Sequence, residues 1–268
     1  YIGGGTPTTL SHYELSGLFG ALSENFDMGS VQEFSVEAGR PDSITAEKLS
    51  VLKDIGVTRI SINPQTMNGE TLRLIGRRHT VAQFTESFRM AREAGFDNIN
   101  MDLILGLPGE DLPMVRHTFE ETGKLAPDSV TVHSMALKRA AGMAEFLREH
   151  EDIKSINTPE MMELADNSLR GMGLLPYYLY RQKNMAGNLE NVGYAAPGKY
   201  GVYNILMMEE VQDIVALGAG TVTKKVSFDK VTGEPTGLIE RCDNVKDPGL
   251  YIERIDEMIE RKRKLFSD

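Results

Sequence analysis

The chain has 268 residues, 29 basic and 39 acidic, for a net charge of −10; 41% of them are hydrophobic and 25% charged, the balance of an ordinary globular chain long enough to bury a full core. No apolar run reaches the roughly 18 residues of a membrane span, and the acidic excess argues against a duplex nucleic-acid binder, whose affinity rests on neutralising phosphates. The single cysteine, Cys242, excludes a disulfide scaffold and any multi-cysteine metal site within this chain, and the expected compartment is the cytosol.

The chain opens at Tyr1 without a methionine. A strand end at Tyr1-Ile2 runs directly into Gly3-Gly4-Gly5, and the whole reads as a piece of a longer protein. Ser11-His12-Tyr13-Glu14 is a capping box, followed by Leu15, Leu18, Phe19, Leu22 and Phe26 at helical spacing. Glu33 to Ala38 reads as a strand. Thr45 caps a helix that ends at Gly56. Arg59 to Ile62 is a strand, Thr80 to Gln83 a second capping box opening a helix stopped at Gly95, and Ile99 to Ile104 a strand ending in Gly106-Leu107-Pro108-Gly109. A helix from about Leu112 to Leu125, a strand from Ser129 to His133 and a helix from Thr158-Pro159 to Gly171 complete the regular part. Five strands alternating with helices predict an α/β fold with a parallel sheet, too few for a closed eight-stranded barrel, hence a partial parallel barrel.

After Gly173 the texture changes. Tyr177 to Tyr180 is an aromatic strand, Asn184 to Gly201 reads as loop, and Asp213 to Leu217 as a strand. Val222 to Phe228 with Gly237 to Arg241 forms a hairpin, and Tyr251 to Leu265 a final helix. The expected division is 1–175 for the partial barrel and 176–268 for a smaller α+β part on the substrate side.

Working residues of a parallel barrel sit just past the C-terminal ends of its strands. Those ends here are Gly3-Gly4-Gly5-Thr6, Glu37, Gln65, Asp102 and His133-Ser134, with Arg77 shortly after Gln65. Carboxylates can take an ammonium and ribose hydroxyls, a guanidinium grips a carboxylate in bidentate fashion, and glycines let a ligand approach the backbone. The set suits a zwitterionic, ribose-bearing ligand. Singly, each residue has a plainer reading: a triple glycine is a turn, a strand-end carboxylate a helix cap, and His133 a packing residue.

Together the residues resemble a known family. Tyr1-Ile-Gly-Gly-Gly-Thr-Pro-Thr8 is similar to the second-strand motif of radical S-adenosylmethionine (SAM) enzymes, in the branch of the oxygen-independent coproporphyrinogen III oxidases. Glu37 in Ser-Val-Glu-Ala, Arg59-Ile-Ser-Ile-Asn-Pro-Gln65, Leu74-Ile-Gly-Arg77-Arg-His79 and Asn100-Met-Asp102-Leu-Ile-Leu-Gly-Leu-Pro-Gly109 follow in the family's order. Tyr180-Arg-Gln-Lys-Asn184 and Gly187 to Tyr194 look like the variant found in anaerobic Gram-positive bacteria. The resemblance implies a partial barrel holding SAM: Gly4, Gly5 and Thr6 through backbone and hydroxyl, Glu37, Gln65 and Arg77 at the amino-acid end, Asp102 at the ribose, with Ala136 and Val222 as further contacts. It implies a [4Fe–4S] cluster whose Cys-x3-Cys-x2-Cys loop is absent from this chain, a tetrapyrrole substrate and an electron donor. The implied reaction converts two propionates of coproporphyrinogen III to vinyl groups, after reductive cleavage of SAM to a 5′-deoxyadenosyl radical. Arg181 and Lys183 are expected to bind substrate carboxylates. The haem chaperones of the same family carry a His-Asn pair followed by Tyr-Trp; here Tyr203-Asn204 follows Val202, and the chain has no tryptophan. An anaerobic haem-degrading radical SAM methyltransferase is the other alternative.

Overall fold

A computed structural model describes residues 1–135, 150, 153–181 and 189–267. The chain divides into two compact units, Tyr1–Tyr203 and Asn204–Asp268.

The first unit runs α1 (His12–Asn25), β1 (Ser35–Gly39), α2 (Ala46–Asp54), β2 (Arg59–Ile62), α3 (Gly69–Leu74), α4 (Val81–Glu93), β3 (Ile99–Leu105), α5 (Leu112–Leu125), β4 (Ser129–Ser134) and α6 (Pro159–Gly171), the expected order with the short α3 added. Both capping boxes form. Ser11 and Thr80 each accept from the backbone N–H three residues on, while Glu14 and Gln83 reach back to the cap N–H. β1 to β4 pair in parallel, and Ile2 adds a single parallel bridge to Val36 at the β1 edge. β5 (Leu175–Tyr180) and β6 (Asn191–Ala195) then extend the sheet antiparallel, giving the order β1-β2-β3-β4-β6-β5.

Side chains alternate across a strand, and here the alternation is chemical. Val36, Ala38, Ile60, Ile62, Met101, Leu103, Val130 and Val132 are all at most 1% exposed and face a core that includes Leu15, Phe19, Leu52, Phe84 and Phe119 from the helices. Apart from Ala38, each such side chain contributes about 1.5–3 kcal/mol by burial.

Two departures from the sequence reading concern this sheet. Residues 184–201, read as loop, contain strand β6. Its loop-like composition serves local needs: Asn191 Oδ1 accepts from the Ser134 N–H at 2.8 Å, and a Cβ on Gly193 would sit 1.8 Å from Cε1 of Tyr178, its cross-strand neighbour. Only glycine lets that ring lie flat on the strand. The compact first unit therefore runs on past the expected division at 175/176, because β5 and β6 belong to its sheet.

The second unit contains an antiparallel hairpin, β7 (Val222–Phe228) and β8 (Pro235–Asp243). The expected strand at 213–217 is reduced to one bridge, Ile214 to Lys224. The expected final helix is two, α8 (Pro248–Glu253) and α9 (Ile255–Phe266), separated at Arg254. The hairpin packs on α9, with Val226, Cys242 and Met258 buried. Helix α7 (Val202–Glu209) was not foreseen. Its cap comes from far away in sequence, since Glu33 accepts from the N–H groups of Val202 and Tyr203. Among the described residues no helix is long and apolar enough to cross a membrane.

Candidate functional site

The second face of the first unit's sheet is polar along its whole width. By register it carries Glu37 on β1, Arg59 and Ser61 on β2, Asn100 and Asp102 on β3, Ser129, Thr131 and His133 on β4, and Tyr178 and Tyr180 on β5. These groups bond to one another sideways. Arg59 Nη1 donates to Asn98 Oδ1 (2.8 Å), Ser129 Oγ (2.8 Å) and the Lys199 carbonyl (3.2 Å). Ser129 Oγ donates to Asn100 Oδ1 at 3.1 Å, and Asn100 Nδ2 donates to Ser61 Oγ at 3.0 Å and Asp102 Oδ1 at 2.8 Å. Thr131 and Tyr178 share a hydroxyl contact of 3.3 Å. A buried polar surface is tolerable when its members satisfy each other.

At one rim stand Gly4 and Glu37. Gly4 has φ +99°, a backbone that side-chain-bearing residues rarely adopt, and its N–H favours the charged form of the Glu37 carboxyl. A Cβ built on Gly4 or Gly5 would meet nothing within 4 Å, so open space lies beside both. Thr6, next in the chain, donates to the Gly5 carbonyl at 2.6 Å. Burial pushes the Glu37 carboxyl above its ordinary range, and the Asp102 charge adds to this, while the Tyr1 hydroxyl bond and the Gly4 N–H offset part of it. The Tyr1 ring stacks on Tyr203 with centroids 3.9 Å apart.

Asp102 has the opposite balance. Burial alone would raise its carboxyl; the neighbouring His133 ring, the Asn100 amide and the Arg59 charge together hold it below the ordinary carboxylate range. Two carboxylates that sense one another are thus poised apart, Glu37 drawn toward its neutral form and Asp102 held ionised.

Gln65 follows β2 with φ +68°, a left-handed backbone that costs a non-glycine residue free energy. Bonds from its N–H to the Asp102 carbonyl (3.0 Å) and from the Ile104 N–H to its own carbonyl (2.8 Å) hold it there. Arg77 lies beyond α3. Its guanidinium is part-desolvated and stands near the Arg40 cation, and both lower its pKa; Arg40 is itself paired with Asp42. No carboxylate is bonded to Arg77 among the described residues, which leaves it short of a counter-ion.

The substrate-side expectations divide. The Arg181 guanidinium is exposed and already paired with Glu190 at 2.9 Å. Lys183 and Ala136 lie outside the described residues. Val222 opens β7 in the second unit. His133, one of the strand-end residues, stands between two polar groups: its Nε2 lies 3.7 Å from Asp102 Oδ2, and its Nδ1 lies 3.3 Å from the Tyr180 hydroxyl. The signal was there in the alternation Ser129, Thr131, His133, which puts it on the face of Asp102.

By chemistry Glu37 could accept an ammonium, Arg77 a carboxylate and Asp102 a hydroxyl pair, and open space lies beside Gly4 and Gly5. A SAM-like molecule fits this donor set. An iron–sulfur cluster does not: it needs spaced thiolates, the chain has only Cys242, and among the described residues no group of three His, Cys, Asp or Glu is placed to hold a metal ion.

Comparison with known proteins agrees with the geometry. The Radical SAM superfamily pattern matches residues 1–122. The oxygen-independent coproporphyrinogen-III oxidase-like protein HemZ of Bacillus subtilis is 46% identical over 265 residues, 98% of this chain and 52% of that protein. Heme chaperone HemW of Lactococcus lactis is 41% identical over 138 residues, 52% of this chain and 36% of that protein. Among solved structures, coproporphyrinogen III oxidase HemN of Escherichia coli, described as a radical SAM enzyme, superposes with a TM-score of 0.68 over 95% of this chain and 56% of its own; at 23% identity the likeness speaks for the fold. The chain spans about half the length of HemZ and of the HemN chain. By the match over residues 1–122 the chain belongs to the radical SAM superfamily, and along nearly its whole length it is similar to an oxidase-like protein of the coproporphyrinogen-III type.

Proposed function

We propose that this chain is the SAM-holding part of a longer cytoplasmic enzyme that decarboxylates coproporphyrinogen III to protoporphyrinogen IX in haem biosynthesis. The observation that carries this reading is the 46% identity to an oxidase-like protein across 98% of the chain. In the proposed reaction each of two propionates loses CO2, one hydrogen atom and one electron and becomes a vinyl group. SAM, when bound beside a reduced cluster held elsewhere in the longer protein, supplies the hydrogen-abstracting group.

The chain's own residues bind and orient. Gly4, Gly5 and Thr6 border the ligand. Glu37 takes the ammonium, Gln65 and Arg77 the carboxylate, and Asp102 the ribose hydroxyls. Arg181 and Lys183 serve substrate carboxylates, and for Arg181 this means exchanging Glu190 for a propionate. Tyr178 and Tyr180, with ring planes 3° apart, offer an apolar surface to the macrocycle.

The test is an anaerobic assay of the longer protein, rebuilt with iron and sulfide, given SAM, a reductant and coproporphyrinogen III. Protoporphyrinogen IX is the expected product, and the 268-residue chain alone should make none. The identity to a heme chaperone over 138 residues favours a second reading. Stoichiometric haem binding without porphyrinogen turnover supports it, and consumption of haem points to a haem-degrading methyltransferase.

A further inference from the structure

We infer that His133 is a positioning residue for Asp102: its imidazole bridges that carboxylate and the Tyr180 hydroxyl, and so turns the remaining lone pairs of Asp102 toward a vicinal diol. The inference rests on reading Asp102 as the acceptor of the ribose hydroxyls, and it names what makes that acceptor fit for the task.

An ionised carboxylate offers about four lone-pair sites. Asn100 Nδ2 uses one on Oδ1, at 2.8 Å. His133 Nε2 faces Oδ2 at 3.7 Å, long for a hydrogen bond but typical of a site that tightens when its ligand arrives. One site is then left on each oxygen, two in all, the number a diol needs to donate both of its hydroxyl protons. The neighbours also select the tautomer. With the Tyr180 O–H taken as donor to Nδ1, 3.3 Å away, the ring proton sits on Nε2 and faces Asp102. The assignment comes from the partners on each side. Asp102, His133 and Tyr180 share the polar face, so the chain of three needs no distortion of the sheet.

The other charged or titratable groups sensed by Asp102 are Glu37, Arg59, Tyr1 and Tyr178. Of this set Arg59 is the only cation, and its Nη1 bonds to Asn98, Ser129 and the Lys199 carbonyl. His133 is therefore the neighbour able to place a proton donor on Oδ2. A histidine that merely packed would be enclosed, whereas this side chain keeps 27% of its surface and touches polar groups through both nitrogens.

The experiment uses the 268-residue chain, with S-adenosylhomocysteine as the probe and the Asp102 carboxyl carbon followed by NMR. His133→Phe keeps the ring's bulk without its nitrogens, and His133→Gln keeps a donor. Probe affinity is expected to fall about tenfold in His133→Phe, equivalent to about 1.4 kcal/mol, and to recover most of the way in His133→Gln. In an Asp102→Asn background the same His133→Phe change is expected to do almost nothing, since residues that act through one another are not additive. The Asp102 titration midpoint should rise in His133→Phe. Unchanged probe binding in Asp102→Asn alone would defeat the diol reading and leave the positioning to be judged by the midpoint. An unmoved midpoint, or an equal loss of affinity in both backgrounds, overturns the inference.

Discussion

One face of the first unit's sheet carries Val36, Ile60, Met101 and Val132, the other Glu37, Ser61, Asp102 and Thr131, and the two sets alternate residue by residue along the same strands. Parallel sheets covered on both faces read as continuous apolar runs. These strands do not, because only one face packs into the apolar core, while on the other Asn100, Ser129 and Thr131 are buried among polar neighbours. The apolar face supplies stability through burial. The polar face gives up that stabilisation and holds itself together by hydrogen bonds, and it gains groups that can meet a ligand. If the faces are specialised in this way, substitutions should separate cleanly into those that unfold the protein and those that alter the site.

The largest effect belongs to the apolar side. Phe84 on α4 is fully buried and packs near Phe88. Phe84→Ala should cost about 3–5 kcal/mol through lost burial and the cavity left behind, read as a lower urea midpoint. The Asp102 titration of the surviving folded population should not move. A shifted Asp102 midpoint would mean that the two faces are coupled and the comparison is too simple.

Gly193 tests the boundary between covered and open surface. Its added Cβ would fall 1.8 Å from the Tyr178 ring, so Gly193→Ala must displace that ring or the strand. Overpacking of this kind costs about 1–3 kcal/mol. In a Tyr178→Ala background the penalty should largely disappear. A full penalty in both backgrounds would place the strain in the β6 backbone and not in the aromatic contact.

Much of this division was legible in the sequence. Ser11 and Thr80 announced helices through contacts three residues long, and the alternation in Asn100-Met101-Asp102-Leu103 declared two unlike faces before any pairing was known. What stayed hidden depended on distant partners. Helix α7 starts where Glu33 happens to arrive, about 170 residues earlier in the chain. β6 has the composition of a loop because Tyr178 occupies the space above Gly193. Of the candidate site, the strand-end residues Glu37 and Asp102 were readable from position. The placement of His133 between Asp102 and Tyr180 required the antiparallel β6 and β5 to bring Tyr180 across.

The polar face should also declare itself by pH. Glu37 has a raised folded-state pKa, so folding favours its neutral form; its contribution is fully present below the ordinary 4.5 and is lost as pH rises through the raised value. Glu37→Gln, which imitates the neutral form, should therefore be more stable than the parent at pH 7 and equal to it in acid. Asp102 behaves in the opposite sense. Its stabilisation is present above the ordinary 3.8 and is lost as pH falls through its lowered value, so Asp102→Asn should be less stable at pH 7, with the difference closing in acid. Urea midpoints measured from pH 3 to 8 give both curves. Curves of the same sign would show that the two carboxylates are not poised apart.

The smallest expected effect on stability is at Arg181, and that is what makes it informative. Its guanidinium and the Glu190 carboxylate form an exposed pair at 2.9 Å. Such pairs contribute about 0–1 kcal/mol, because water screens the attraction and two long side chains lose freedom in making it. Arg181→Ala should thus leave the urea midpoint of the chain nearly unchanged. A propionate bound in a less hydrated setting would use the same guanidinium more strongly, at about 1.5–3 kcal/mol for a charge-assisted bond. In the longer protein the substitution should then raise the apparent KM for coproporphyrinogen III about tenfold or more while SAM affinity stays the same. Glu190→Gln sharpens the result, since it removes the competing carboxylate: KM should fall if Glu190 and a propionate share Arg181. An unchanged KM in both variants would remove Arg181 from the substrate site and leave it as half of a surface ion pair.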